Sequence, residues 1–163
     1  MPRVHSARDE RFGGYLEEYE PGDIFRHWPG KTITEAEDHL FCLLTMASSP
    51  LHVDRHFAET ESEFGRNIVV GTYIYALLLG MSVPDISGRA IANLGVHELR
   101  HVAPAFHGDT LYGTTEVLSV KPSASRPTQG ILTVRTDGHN QEGRQVCTFT
   151  RAVLLPRRPS GDA

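Results

Sequence analysis

The sequence predicts an α+β fold in which one long antiparallel sheet wraps a buried central helix, and three observations predict it. The stretch IVVGTYIYALLLGMSV, residues 68–83, contains a helix that is apolar on nearly every face, and such a helix needs other structure around it. The chain changes character after residue 90, where four segments rich in β-branched residues are separated by Gly, Pro and Asn turns. One strand and shorter helices come before the apolar helix, so the order is strand, helices, buried helix, sheet.

The elements follow from local chemistry. Residues 1–12 are polar and are expected to form a flexible arm. Gly13-Gly14, Pro21-Gly22 and Pro29-Gly30 are turn signals around one strand, Asp23 to His27. Thr34 with Glu37 three residues later is a capping-box pattern. Leu40, Phe41, Leu43 and Leu44 then carry helical spacing, which predicts a helix over 35–45. Pro50 disfavours helical backbone at Ser49, so that helix ends before it. Asp54 is placed to cap a second helix, RHFAETESEF, ending near Gly65. The apolar helix runs from Gly71 to about Met81. Segments 90–104, 109–122, 130–143 and 144–156 read as four strands joined largely as an antiparallel meander, with DGHNQEG as a hairpin turn and SASRPTQG as the longest polar loop. One domain over 13–156 is expected, with a flexible tail over 157–163.

Composition excludes several functions. The net charge is -4 and the basic residues are scattered, so neither nucleic acid nor an anionic membrane is a favoured partner. Gly71, Thr72 and Gly80 interrupt the apolar run, which is too short to span a bilayer. Cys42 and Cys147 sit in apolar surroundings, with no CxxC pair and no Cys/His set of zinc spacing. Two buried free thiols, no metal and a cytoplasmic location are therefore expected. The polar start MPRVHSARDERFGG is not of the signal-peptide type.

Ala47-Ser48-Ser49-Pro50-Leu51-His52-Val53-Asp54 resembles the turn Asp-x-Asn-Pro-x-His-x-Asp of the MaoC-like dehydratases and (R)-specific enoyl-CoA hydratases, a branch of the hotdog proteins. EFGRNIVVG, LRHVAPAFHGDTL, YLEEYEPGD, SRPTQGILTV and NQEGRQV are similar to further segments of that family, in the same order, over residues 13–156. The resemblance is greatest to single-hotdog members of the itaconyl-CoA, mesaconyl-CoA or methylmalyl-CoA type. It implies a single hotdog fold, a homodimer or higher homo-oligomer, and an acyl-CoA or acyl-carrier-bound substrate with no further cofactor.

Hydration of an enoyl thioester needs a base to aim water at Cβ, a proton for Cα, and donors for the thioester oxygen as it gains enolate charge. Imidazole suits the first task and backbone N–H groups at a helix start suit the third. The resemblance assigns His52 as the base and the Gly71 N–H as the oxyanion donor. It puts Ala47, Ser48, Ser49, Val70 and Thr72 around the substrate. Arg100, His101 and Arg126 are candidates to read anionic groups, Arg being the bidentate partner of carboxylate and phosphate. Ala47 departs from the family, which has a carboxylate there paired with the histidine. Asp38, Asp54 or Glu98 would have to supply an acid, or the substrate would carry its own carboxylate; Asp54 is equally a helix cap, and Glu98 equally an ion-pair partner of Arg100. His107-Gly108-Asp109 reads first as a turn, and Tyr73 and Tyr75 as core or tunnel lining. Three functions remain: an acyl-CoA hydratase/dehydratase, a biosynthetic tailoring dehydratase, isomerase or cyclase acting on a polyketide-type substrate, and a catalytically impaired acyl-CoA-binding hotdog. A thioesterase of this fold is disfavoured, because the central helix carries no carboxylate.

Overall fold

The computed structural model describes residues 3–6 and 12–159. Strand β1 (Val4–Ser6) is followed by a 3-10 turn (Leu16–Glu18), β2 (Ile24–Arg26) and β3 (Lys31–Thr32). Helices α1 (Glu35–Thr45), α2 (Pro50–Val53), α3 (Arg55–Thr60) and α4 (Gly71–Met81) come next. A π-helical turn (Val83–Ser87) then leads to β4 (Ala92–His101), β5 (Thr110–Pro122), β6 (Gln129–His139) and β7 (Gln145–Pro156).

The helix starts follow the expected local rules. The Thr34 side chain accepts from Glu37 N–H while the Glu37 carboxylate accepts from Thr34 N–H, which closes the capping box of α1. Met46, left-handed at φ 59°, ends that helix. Asp54 accepts from Phe57 N–H and starts α3, which stops at Thr60 rather than near Gly65. Between them lies an element the sequence did not predict. Pro50 opens the one-turn helix α2, because its fixed φ suits a first helical position.

The sheet order is β1-β2-β5-β6-β7-β4, with β3 also paired to β5. Only β1 and β2 run parallel among the paired strands. Strands β5, β6 and β7 form the expected meander, but β4 pairs with β7 at the far side and not with β5. The reason is the connection over residues 102–109. It crosses the start of α4, where Val69 N–H donates to the Ala105 carbonyl and Ile68 bridges Phe106. A chain that covers a helix end this way cannot turn back as a tight hairpin.

Helix α4 lies in the curve of the sheet, the hotdog arrangement. Ile74 and Leu78 are buried against Leu111, Val146, Cys147 and Phe149. Gly138 leaves no room for a Cβ beside Leu78, so the sheet backbone comes close to the helix there. The helix is not buried all round: Tyr73, Tyr75, Leu77, Leu79 and Met81 are half-buried. Both cysteines are buried free thiols. Arg151 is fully buried at 0% exposure, with its Nη atoms donating to Asn93, Ser82 and Ser87; burial lowers its pKa to about 10, so it keeps its charge at neutral pH. Among the described residues no helix is long and apolar enough to cross a membrane.

Both ends are more ordered than expected where they are described. Within the arm expected over 1–12, Val4–Ser6 pair with β2 and Arg3 forms two hydrogen bonds to the buried Asp23 carboxylate, at 2.9 and 2.7 Å. The rest of that stretch up to residue 11 lies outside the described residues. Within the tail expected over 157–163, Arg157 and Arg158 pair with Glu17 and Glu18. Residues 160–163 lie outside the described residues.

Candidate active site

A cavity of about 380 Å³ opens at the start of α4. Its wall is mostly apolar, from Phe64, Ile68, Ile74 and the segment after β4. The polar side chains in it are two imidazoles, His52 and His101, and Gly71 contributes bare backbone.

His52 is presented by α2, the short helix that Pro50 begins. Its Nδ1 lies 2.9 Å from the Ile68 carbonyl oxygen. A carbonyl only accepts, so Nδ1 carries the proton and Nε2 keeps a lone pair. The helix carrying His52 is tied back at its own carbonyl, which accepts from His39 Nε2 at 3.1 Å. Asn67 holds the same segment through the Leu51 and Asp54 carbonyls.

Gly71 is the first residue of α4, and first-turn N–H groups have no partner within the helix. Its neighbour Val70 N–H is already engaged, donating to Asp38 Oδ1 at 3.1 Å. Asp38 Oδ2 accepts from His107 Nε2 at 2.9 Å, and this carboxylate is fully buried. Residues from α1, from the start of α4 and from the 102–109 crossover are thus locked together, which fixes the direction in which the α4 start points. The positive end of the helix dipole faces the cavity with it.

The structure brings His52, Gly71 and His101 to one cavity, whereas Ala47, Ser48, Ser49, Val70, Thr72, Arg100 and Arg126 are not among its lining residues. Val70 is buried, with its N–H spent on Asp38. Thr72 is exposed on the first turn of α4. Ala47 is half-buried just after the left-handed turn at Met46, its N–H donating to the Cys42 carbonyl, and it is not among the residues lining the cavity. Ser48 lines a separate apolar pocket of about 290 Å³ with Cys42, Leu43, Met46 and Val53. Ser49 is exposed before α2. Arg100 is exposed on β4, and Arg126 is exposed in the β5–β6 loop with its N–H on Ser123 Oγ.

None of the three candidate carboxylates stands in the cavity wall. Asp38 is committed to Val70 and His107, Asp54 caps α3, and Glu98 is exposed at a bulge of β4 with φ 52°. Asp109 accepts from Phe106 N–H in a turn with Gly108 at φ 95°, as expected of His107-Gly108-Asp109. Tyr73 stacks on Phe41 and Tyr75 meets Phe149 edge-on, both as packing. Sequence reasoning missed the His107–Asp38–Val70 link, and it named His101 as an anion reader without foreseeing its place beside Gly71 in the cavity wall. A second buried chain, Asp85–His27–Thr115–Thr136, was also unforeseen.

Comparison with known proteins gives a consistent result. The family model described as mesaconyl-CoA hydratase matches residues 3–163. A mesaconyl-CoA hydratase of Cereibacter sphaeroides is 34% identical over 152 residues, covering 90% of this chain and 42% of that protein. A beta-methylmalyl-CoA dehydratase of Chloroflexus aurantiacus is 32% identical over 158 residues, covering 87% of this chain and 44% of that protein. The crystal structure of a MaoC-like dehydratase from Rhodospirillum rubrum superposes with a TM-score of 0.80 at 32% identity, covering 90% of this chain and 99% of that one. The chain spans less than half the length of these two curated relatives.

Proposed function

This chain belongs to the mesaconyl-CoA hydratase family of MaoC-like hotdog proteins, and on that footing we propose that it adds water reversibly to a 2-enoyl thioester of coenzyme A. The observation that carries this reading is the pairing of His52, whose Nε2 keeps its lone pair, with the free first-turn N–H of Gly71 across one cavity.

In the forward direction a water lies between His52 Nε2 and the substrate Cβ. Nε2 takes a proton from the water as its oxygen bonds to Cβ. The electron pair of the double bond moves to the thioester, and Gly71 N–H meets the charge on its oxygen. The same imidazole, now protonated, returns its proton to Cα. With alanine at 47 and no carboxylate in the wall, His52 serves as both base and acid. No cofactor enters this sequence.

A short, branched acyl group suits the apolar wall, and the relatives' mesaconyl and β-methylmalyl substrates are of that size. Missing Gly71 Cβ lets the thioester approach the backbone. The assay is incubation with crotonyl-, itaconyl- and mesaconyl-CoA in heavy-oxygen water. Hydroxyacyl-CoA carrying the heavy oxygen is the expected product, and its absence from all three would end the reading.

A homodimer is part of the proposal. Leu43 (77% exposed), Leu44 (75%) and Met46 (87%) lie bare on α1 and at its end, and Leu94 and Val96 lie bare on β4, the last strand of the sheet order. An apolar edge strand and an apolar helix face of this kind favour a second copy. The two buried free thiols suit the cytoplasm, where we place the protein.

A further inference from the structure

Two imidazoles reach the cavity, and the mechanism above uses one. His101, the last residue of β4, pairs with Cys147 of β7, and its ring turns back onto the start of α4. A Cβ placed on Gly71 would lie 2.7 Å from His101 Nε2, 2.9 Å from Cε1 and 3.0 Å from Cδ2. The space left by the glycine is therefore filled at one side by the Nε2 edge of this ring. That edge rests against the backbone whose N–H faces the thioester oxygen in the proposed reaction.

Charge at this place is disfavoured in the ring. Burial lowers the His101 pKa from its ordinary value, and the positive end of α4 acts in the same sense. The ring is neutral at pH 7 and carries one N–H. A neutral imidazole at a helix start is a hydrogen-bond donor able to polarise a carbonyl without giving up its proton.

We propose that His101 is a second oxyanion donor, its Nε2–H meeting the thioester oxygen beside the Gly71 N–H; this rests on the hydratase reading. It explains how a site with no acid at 47 can work. His52 must hold the water proton and then return it to Cα, so the enolate charge has to be supported between the two transfers. Two neutral donors on one oxygen give that support with no proton leaving either of them.

The test uses His101→Phe, which keeps a ring without the donor, and His101→Gln, which keeps an N–H at similar reach. His101→Phe is expected to lower kcat about 10²-fold on both crotonyl-CoA and mesaconyl-CoA, with KM changed less than about threefold. His101→Gln is expected to recover about tenfold of that loss. Raman spectra of bound butyryl-CoA give a readout apart from turnover: its thioester C=O stretch should lie at lower frequency on the wild type than on His101→Phe. A His101→Phe rate within about threefold of wild type, or an unmoved stretch, overturns the proposal. So does a loss confined to mesaconyl-CoA, which would make His101 a reader of the substrate carboxylate. If the wild type hydrates no thioester the hydratase reading fails instead, and the stretch still decides the role of His101.

Discussion

Gly71→Ala separates chemistry from stability at one atom. The new Cβ would stand 2.7 Å from His101 Nε2, about 0.8 Å inside the ~3.5 Å at which such atoms pack. Backbone strain plays no part, since Gly71 does not have a left-handed φ and is the first residue of a helix. Alanine there favours the helix by about 0.4–1 kcal/mol. That is ~1–4 °C in Tm for a chain of this size. The close contact with the His101 ring, which is exposed and so has solvent to move into, offsets some of this gain. The melting temperature should therefore stay within about 4 °C of wild type. Activity should not survive so well. The methyl group stands where the thioester approaches, and a displacement of about 1 Å in a reacting group costs about 10²-fold. Steady-state rates and a thermal melt on the same preparation check both halves. A full hydration rate would refute the assignment of this backbone as the oxyanion site, and a Tm fall beyond about 10 °C would make Gly71 a packing residue instead.

Three further outcomes follow from the same structure. Asp38→Ala leaves the Val70 N–H and His107 without their buried acceptor and should cost about 3 kcal/mol in urea unfolding, whereas Asp38→Asn, which keeps one acceptor oxygen, should cost less than half of that. The Lys31 ammonium and the Thr34 hydroxyl and N–H hold the Glu37 carboxyl down to about 2, against an ordinary value of 4.5. A carboxylate whose pKa is depressed by folding stabilises above its unfolded value, and that contribution fades as pH falls from about 4.5 through about 2, so Glu37→Gln should flatten stability measured by urea titration across this interval. Leu43→Glu with Leu44→Glu should convert a dimer to a monomer in sedimentation velocity, and wild type sedimenting as a monomer would remove the interface on α1.

What was legible in the sequence was local or familial. The Thr34–Glu37 box and the Asp54 cap are decided within three residues, and α4 announces itself by a body that is apolar on nearly every face. The frame around His52 and the glycine opening α4 were readable through the family resemblance. The pairing of β4 with β7 was not, because β4 shows the same alternation whichever neighbour it takes. Nor was the Asp38–Val70–His107 lock, whose members are 32 and 69 residues from the carboxylate they share. His101 was one of nine histidines, and its place against Gly71 depends on how the crossover closes over α4. Arg100 and Arg126 looked like anion readers by residue type, but side-chain chemistry alone does not say which surface an exposed arginine occupies.

That His52 moves the proton is the step on which the proposed hydration depends. It is tested most directly by comparing wild type with His52→Ala on whichever of the three thioesters turns over fastest. The kcat/KM of the variant should fall by about 10²–10⁴ while its thermal melt is little changed. A variant that keeps more than about a third of the wild-type kcat/KM would contradict it.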